Sequence, residues 1–267
     1  MRTRAEIEKE IEELKAPYKK AGVISDGLKI TLNGSFGKLG SMYSKLYAPD
    51  LMLQVTITGQ LMLLMLIEQL ENVGISVKSS NTDGVEILCP KDKQDKLEAI
   101  VFDWELATGM VMEHGHYKAL YARDVNNYVA VYDGYTKAKG VYAEPTLSKN
   151  SEYPIVFTAI KEYLLNGKPM RHTIAECEDV TQFLTARTVK GGAVWREQYL
   201  GKMVRWYYAE DGESIHYDTN GNKVPKSDGA KPMMDLPSGL VSNMPNDLDY
   251  EKYLELAVKH LADLGVE

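Results

Sequence analysis

Between Leu51 and Leu88 a strongly apolar run gives way to two short alternating segments joined by four turn-forming residues. Leu61, Leu64, Met65 and the stretch from Leu66 to Leu70 leave almost no polar side on a helix, so a buried helix is expected, capped by Thr56 or Thr58 and ending near Gly74. Ile75-Ser-Val77 and Val85-Glu-Ile87 then alternate with the period of a strand, and Asn81-Thr82-Asp83-Gly84 supplies the turn between them. The expected unit is a β-hairpin with an exposed polar tip. The run from 51 to 70 has the length of a membrane span, but Gln54, Thr56, Thr58, Gly59, Gln60 and Glu68 interrupt it, which argues for protein core and against a membrane partner.

Upstream, Ile7, Ile11, Leu14 and Tyr18 recur at helical spacing over residues 6 to 20, with Pro17 disrupting or bending the end. A second helix is expected from Ser25 to about Phe36, capped by Ser25 or Asp26 and loosened at Gly37 and Gly40, so that the two form an antiparallel pair before a loop around Pro49. Downstream, residues 93 to 110 read as a helix, and Tyr128 to Tyr132 with Lys139 to Tyr142 as a hairpin. From about Ser148 the pattern changes to a helix at Ile155 to Leu165, a stretch at 176 to 187, and an aromatic-rich β-like segment punctuated by Asp211-Gly212 and Asn220-Gly221. Tyr253, Leu256, Ala257, His260 and Leu261 share one face of a closing helix over 250 to 264. The fold class is α+β, with a boundary expected near residues 145 to 150.

Composition narrows the function classes. Hydrophobic residues at 44% and charged residues at 26% suit a chain that folds along most of its length. Cys89 and Cys177 form no CxxC pair and no His cluster stands at zinc-ligand spacing, so the sequence supports neither a disulfide framework nor a structural zinc site and fits a reducing cytoplasm. The amino terminus runs into a charged helical pattern without the apolar stretch of a secretory leader. A net charge of −7 argues against a protein that coats nucleic acid, while leaving room for local basic surfaces.

Two groups of residues carry chemistry. Lys29, Asn33 and Phe36 return to one helical face, with Gly34 and Gly37 beside them. A cation, an amide, a ring and two bare backbone positions can grip a triphosphate and admit a base pair, or they can be a solvated lysine above a glycine-rich helix end. At the hairpin tip, Asp83 presents a carboxylate on a rigid base, as metal ligands often are presented, and an Asp-Gly pair is also an ordinary turn.

The order of these residues resembles a family. Lys29-Ile-Thr-Leu-Asn33-Gly34-Ser35-Phe36-Gly37 is similar to motif B of family B DNA polymerases, Lys-x-x-x-Asn-Ser-x-Tyr-Gly, and Asn81-Thr82-Asp83-Gly84 resembles motif C, Asp-Thr-Asp-Ser. Gly34 replaces Ser, Phe36 replaces Tyr, and Asn81 replaces the first motif C aspartate. The resemblance, to phage-like members, implies fingers helices over 1–45, an antiparallel β palm with packed helices over 46–147 and a thumb over 148–267. It implies a nucleotide site at Lys29, Asn33, Phe36 and Gly37, and Asp83 as catalytic ligand of Mg²⁺ (or Mn²⁺). Asn81 keeps an amide oxygen but no charge, which makes it a turn-shaping group or one that hydrogen-bonds behind the metal ligands, rather than a Mg²⁺ ligand itself. Further along, Tyr117 to Tyr128 stands where the family has its Lys-x-Tyr region, which assigns Tyr128 as the aromatic, Asn126 or Asn127 in place of a Lys, and Lys118 or Arg123 as the cation on the primer, and Lys139-Gly140 resembles the next landmark; a structural tyrosine among surface cations suits the same residues equally. Lys190, Arg196 and Arg205, interleaved with Trp195, Trp206 and neighbouring tyrosines, are assigned to duplex phosphates; the same aromatics also suit a thumb core with cations lying alongside.

One family landmark has no counterpart. Motif A contributes the other indispensable carboxylate upstream of motif B, and the 28 residues before Lys29 hold no Asp before Asp26. Lys45-Leu-Tyr47-Ala-Pro49-Asp50 comes after motif B and lacks the preceding Asp, and Arg2 and Arg4 lack the partner Lys of a triphosphate-binding fingers helix. The resemblance therefore implies DNA-directed DNA synthesis on primer–template DNA from dNTP, by two-metal chemistry completed by an upstream polymerase portion carrying motif A and the exonuclease. It implies a cytoplasmic site of action, the host's if the chain is viral. An alternative is a non-catalytic primer–template binding module. A metal-dependent hydrolase built on Asp83 and Glu86 is disfavoured, because strand alternation sends those side chains to opposite faces.

Overall fold

The computed structural model describes residues 4–144, 152–234 and 244–266, and for 4–17 the backbone alone. It is an α+β chain in two compact units that divide between Glu113 and His114. The boundary expected near 145 to 150 falls outside the described residues.

The first unit opens with α1 (Arg4–Leu39), a single helix where two were expected as an antiparallel pair. Pro17 lies within it, and the residues after it resume helical backbone without a turn. Gly22 and Asp26-Gly27, which could have reversed the chain, also keep helical backbone, so the missing hydrogen bond at Pro17 is tolerated rather than used as a break. Thr31 and Ser35 donate their hydroxyls back to Gly27 O and Thr31 O at 2.8 Å each, which satisfies them within the helix.

Helix α2 (Pro49–Asn72) begins well before the expected caps at Thr56 and Thr58. Pro49 has the fixed φ and missing N–H that suit a first helical turn, and Asp50 adds a favourable charge there, so the expected loop is a helix start. Ala48 N–H donates to Leu39 O at 2.9 Å, joining the end of α1 to the start of α2. Only Leu63, Leu66 and Leu70 of α2 are buried. The all-round apolar helix expected as core is therefore core only from Leu63 onward, while Leu51, Leu53, Val55, Ile57 and Leu61 are exposed. By length and composition α2 also meets the requirement for a bilayer-crossing helix, a requirement that core helices meet as well.

Strands β1 (Ser76–Asn81) and β2 (Gly84–Leu88) form the expected antiparallel hairpin, and α3 (Gln94–Thr108) follows it. Leu66, Leu70, Ile75, Leu97, Val101 and Trp104 make the core beneath the hairpin, with Val77, Val85 and Ile87 packed against it. Trp104 donates its indole N–H to Met62 O at 2.7 Å, pinning α3 to α2.

In the second unit, β3 (Ala119–Asp124), β4 (Asn127–Val131) and β5 (Thr136–Lys139) form one antiparallel sheet. Helices α4 (Pro154–Asn166) and α5 (Met170–Ala175) follow. Then come β6 (Thr185–Trp195) and β7 (Gln198–Glu213), a long hairpin flanked by β8 (His216–Tyr217) and β9 (Ala230–Pro232), and the closing helix α6 (Tyr250–Asp263). Asp249 caps α6 by accepting from Lys252 N–H at 3.0 Å. The expected face of α6 is the one that packs, with Tyr253, Ala257 and Leu261 buried. Tyr253 is a keystone: its hydroxyl donates to Phe183 O and accepts from Tyr208 N–H, both at 2.8 Å, and burial pushes its phenol well above the ordinary tyrosine range.

Candidate functional site

The nucleotide-binding candidates sit together on α1. Lys29, Asn33 and Phe36 are all exposed on one stripe of the helix. A methyl group built at Gly34 or Gly37 would meet nothing within 4 Å, so the backbone beside the stripe is open to close approach. The geometry suits a cation, amide and ring reaching one flat ligand.

Asp83 is exposed at the tip of the β1–β2 hairpin. Asn81 pairs with Gly84, so the reversal is made by Thr82 and Asp83 alone. Thr82 has φ of +51°, and Asp83 N–H donates to Asn81 O at 2.6 Å, which closes a γ-turn of the rarer, strained sense around a β-branched residue. The strain is held by the packed base below: Val77 N–H donates to Glu71 Oε1 at 2.6 Å, and the strands rest on α2 and α3. Thr82 donates its hydroxyl to the Asn81 side-chain oxygen at 3.0 Å, so that amide takes part in the turn.

Magnesium asks for near-octahedral oxygen ligation, usually with more than one carboxylate. Among the described residues no group of three or more His, Cys, Asp or Glu stands close enough to hold a metal. Asp83 with an engaged Asn81 amide does not by itself fit a Mg²⁺ site.

In the second unit the primer candidates divide. Tyr128 stands directly opposite Lys139 on adjacent strands, and Arg123 lies at the same end of the sheet, in the bulge between Ala122 and Asp124. Asp124 organises this corner by accepting from Asn126 N–H at 3.0 Å and from Asn127 Nδ2 at 2.7 Å, while Arg123 Nε donates to it at 3.1 Å. These bonds, led by Asn127, hold the Asp124 carboxyl below its ordinary value. Gly140 closes the corner in a left-handed conformation (φ +67°), and Val141 N–H donates to Asn127 Oδ1 at 2.9 Å. Lys118 is not part of it. It immediately precedes β3 at the opposite end, five residues and roughly 17 Å from Arg123, where it pairs with Asp133 at 2.5 Å. That pairing keeps the Asp133 carboxyl below its usual range.

The hairpin cations also divide. Arg196 and Glu197 make its two-residue turn, both with positive φ. Arg196 lies over the Trp195 ring at 4.4 Å and donates to Glu213 Oε1 at 2.8 Å and to Asp211 O at 2.7 Å, so its guanidinium is occupied in holding the turn. Arg205 is half-buried, reaching Met234 O at 3.5 Å. Lys190 and Lys202 are exposed, with no ion-pair partner among the described residues. Lys190 sits on a bulge completed by Gly191 and Gly192, at φ +90° and +100°. A side chain at either glycine would strike Thr219 or Tyr199. Arg2 lies outside the described residues, as does the side chain of Arg4.

The structure also adds Lys137, which shares a sheet face with Lys139 and Tyr128. The period-two pattern Lys137-x-Lys139, once Thr136 to Lys139 is read as a strand, carries that signal. Compared with known proteins, the chain matches no family model and no curated protein.

Proposed function

We propose that these 267 residues form a fingers, palm and thumb portion of a family B-type DNA polymerase that holds primer–template DNA and contributes Asp83 to the active site. The observation that carries the reading is the exposed carboxylate at the tip of a short, strained hairpin braced from below, in the same unit as the exposed Lys29, Asn33 and Phe36 stripe. In this reading Lys29 meets the triphosphate of dNTP as a point charge, and Phe36 lies against the nascent base pair where Gly34 and Gly37 leave the backbone open. Tyr128, Lys139 and Arg123 approach the primer strand, and Lys190 and Lys202 approach duplex phosphates. One carboxylate does not complete the metal-ligand set, so synthesis requires a polypeptide segment that carries motif A.

A second reading follows from the same shortfall of carboxylates: a module that holds primer–template DNA without catalysis. Both predict salt-sensitive DNA binding. Titrating a fluorescently labelled primer–template with the chain by anisotropy, from low to high salt, should give saturable binding. The slope of log affinity against log salt should lie between about −2 and −4, from roughly 0.9 per phosphate neutralised. Lys190→Ala should make that slope shallower by about one unit. A chain that does not bind, or binds with a slope near zero, contradicts both readings.

A further inference from the structure

The three-stranded sheet has two unlike faces. Val129, Tyr121 and Ala138 lie on one, in or against the main core of the second unit. Register places Leu120 and Ala122 of β3, Tyr128 and Ala130 of β4, and Lys137 and Lys139 of β5 on the other. The pairing continues one residue further, with Lys118 N–H donating to Val131 O at 2.7 Å and Tyr132 N–H to Tyr135 O at 2.9 Å. That brings Lys118, Tyr132 and Tyr135 onto the same face. Tyr132 and Tyr135 are stacked, with ring centroids 4.6 Å apart and planes 5° from parallel, and Tyr117 meets Tyr132 edge-on at 5.2 Å. Tyr135 is 55% exposed. An aromatic stack open to solvent, on a face that carries Lys137 and Lys139 together with the Lys118–Asp133 ion pair, is complementary to a strand of alternating bases and phosphates.

We propose that this face is a stacking platform for single-stranded nucleic acid: an unpaired base extends the Tyr132–Tyr135 stack on Tyr135, and the adjoining phosphates meet Lys137 and Lys139. Lys137 follows Tyr135 by two residues, roughly 7 Å along the strand. The parallel rings pre-form the stacking surface, so binding orders few side chains. The inference rests on the nucleic-acid-holding reading above and adds a contact to unpaired bases that this reading does not contain.

Labelled dT12 and a labelled blunt duplex are the probes, titrated in parallel by fluorescence anisotropy over a range of salt. Tyr135→Ala should weaken dT12 binding about 5- to 50-fold, the range of one lost base–aromatic stack, without changing the salt slope and with duplex affinity held within about twofold. Tyr135→Phe keeps the ring and should bind dT12 like the parent. Lys137→Ala should instead make the dT12 slope shallower by about 0.7. Equal dT12 affinity for Tyr135→Ala and the parent, with duplex binding intact, overturns the platform alone. So does an equal loss for both probes, which would mark Tyr135 as structural. A parent chain that binds neither probe overturns the platform and the nucleic-acid-holding reading together, and leaves the aromatic patch to a protein partner.

Discussion

Gly140→Ala should destabilise the second unit by about 2–5 kcal/mol, read as a lower denaturant midpoint. Two costs combine there. A Cβ at Gly140 would sit 2.2 Å from the backbone oxygen of Asn126 and 2.2 Å from Asn127 Oδ1, and the residue has φ of +67°. The neighbours cannot yield cheaply, because Asp124 holds both Asn126 and Asn127 in the β3–β4 turn. Two residues on, Tyr142 donates its hydroxyl to His260 O of α6 at 3.0 Å. Gly134 is the control: it has φ of +83° but nothing within 4 Å of its Cβ position, so Gly134→Ala should cost about 1 kcal/mol from backbone strain alone. Equal midpoints for the two variants would remove the close-packed corner from this account. The same corner carries Tyr128, Lys139 and Arg123, so Gly140→Ala should also weaken primer–template binding in the fraction that remains folded.

Asp83→Ala, with the segment carrying motif A supplied separately, should lower primer extension at least about 100-fold while leaving primer–template affinity within about twofold. The side chain is exposed and the turn is closed by backbone and by Asn81 and Thr82, so truncation should not unfold the hairpin. A structural role would move stability and binding together. Undiminished extension by Asp83→Ala would strike Asp83 from the site.

Much of this arrangement is legible in the residues because period-two and period-3.6 patterns survive folding where one side of an element is buried. The hairpin around Asp83 and the buried face of α6 are of that kind; the Tyr128 segment does pair with a following strand, but that strand is Thr136–Lys139 and not the expected Lys139 to Tyr142, because Gly140 takes a left-handed conformation and turns Gly140–Tyr142 into a short helical turn. Helix boundaries are harder to read. Pro17 and Pro49 have the same local chemistry, yet one lies inside a helix and the other begins one, because what decides is whether the flanking residues continue the helix. Burial of α2 is hard to read for a different reason: apolar composition states what a helix can bury, and Leu51, Leu53, Val55, Ile57 and Leu61 are exposed in this chain.

The candidate site shows the same division. Residue order places Asp83 on a tip and Lys29, Asn33 and Phe36 on a stripe, since these are local. It does not reveal which cations are occupied. Arg196 looks like a phosphate ligand among aromatics, but Trp195, Glu213 and the Asp211 carbonyl engage it across a tight turn. Lys118 pairs with Asp133, fifteen positions away, through strand register. Such partners are settled only when the strands pair, and they separate Lys118 from Arg123, Tyr128 and Lys139.

The most direct measurement is templated nucleotide incorporation by this chain mixed with a polypeptide carrying motif A, on a labelled primer–template with Mg²⁺ and a single complementary dNTP. The polymerase reading predicts extension by the templated nucleotide, dependent on both polypeptides and absent with Asp83→Ala. Tight primer–template binding with no incorporation under those conditions would contradict it and leave the binding module.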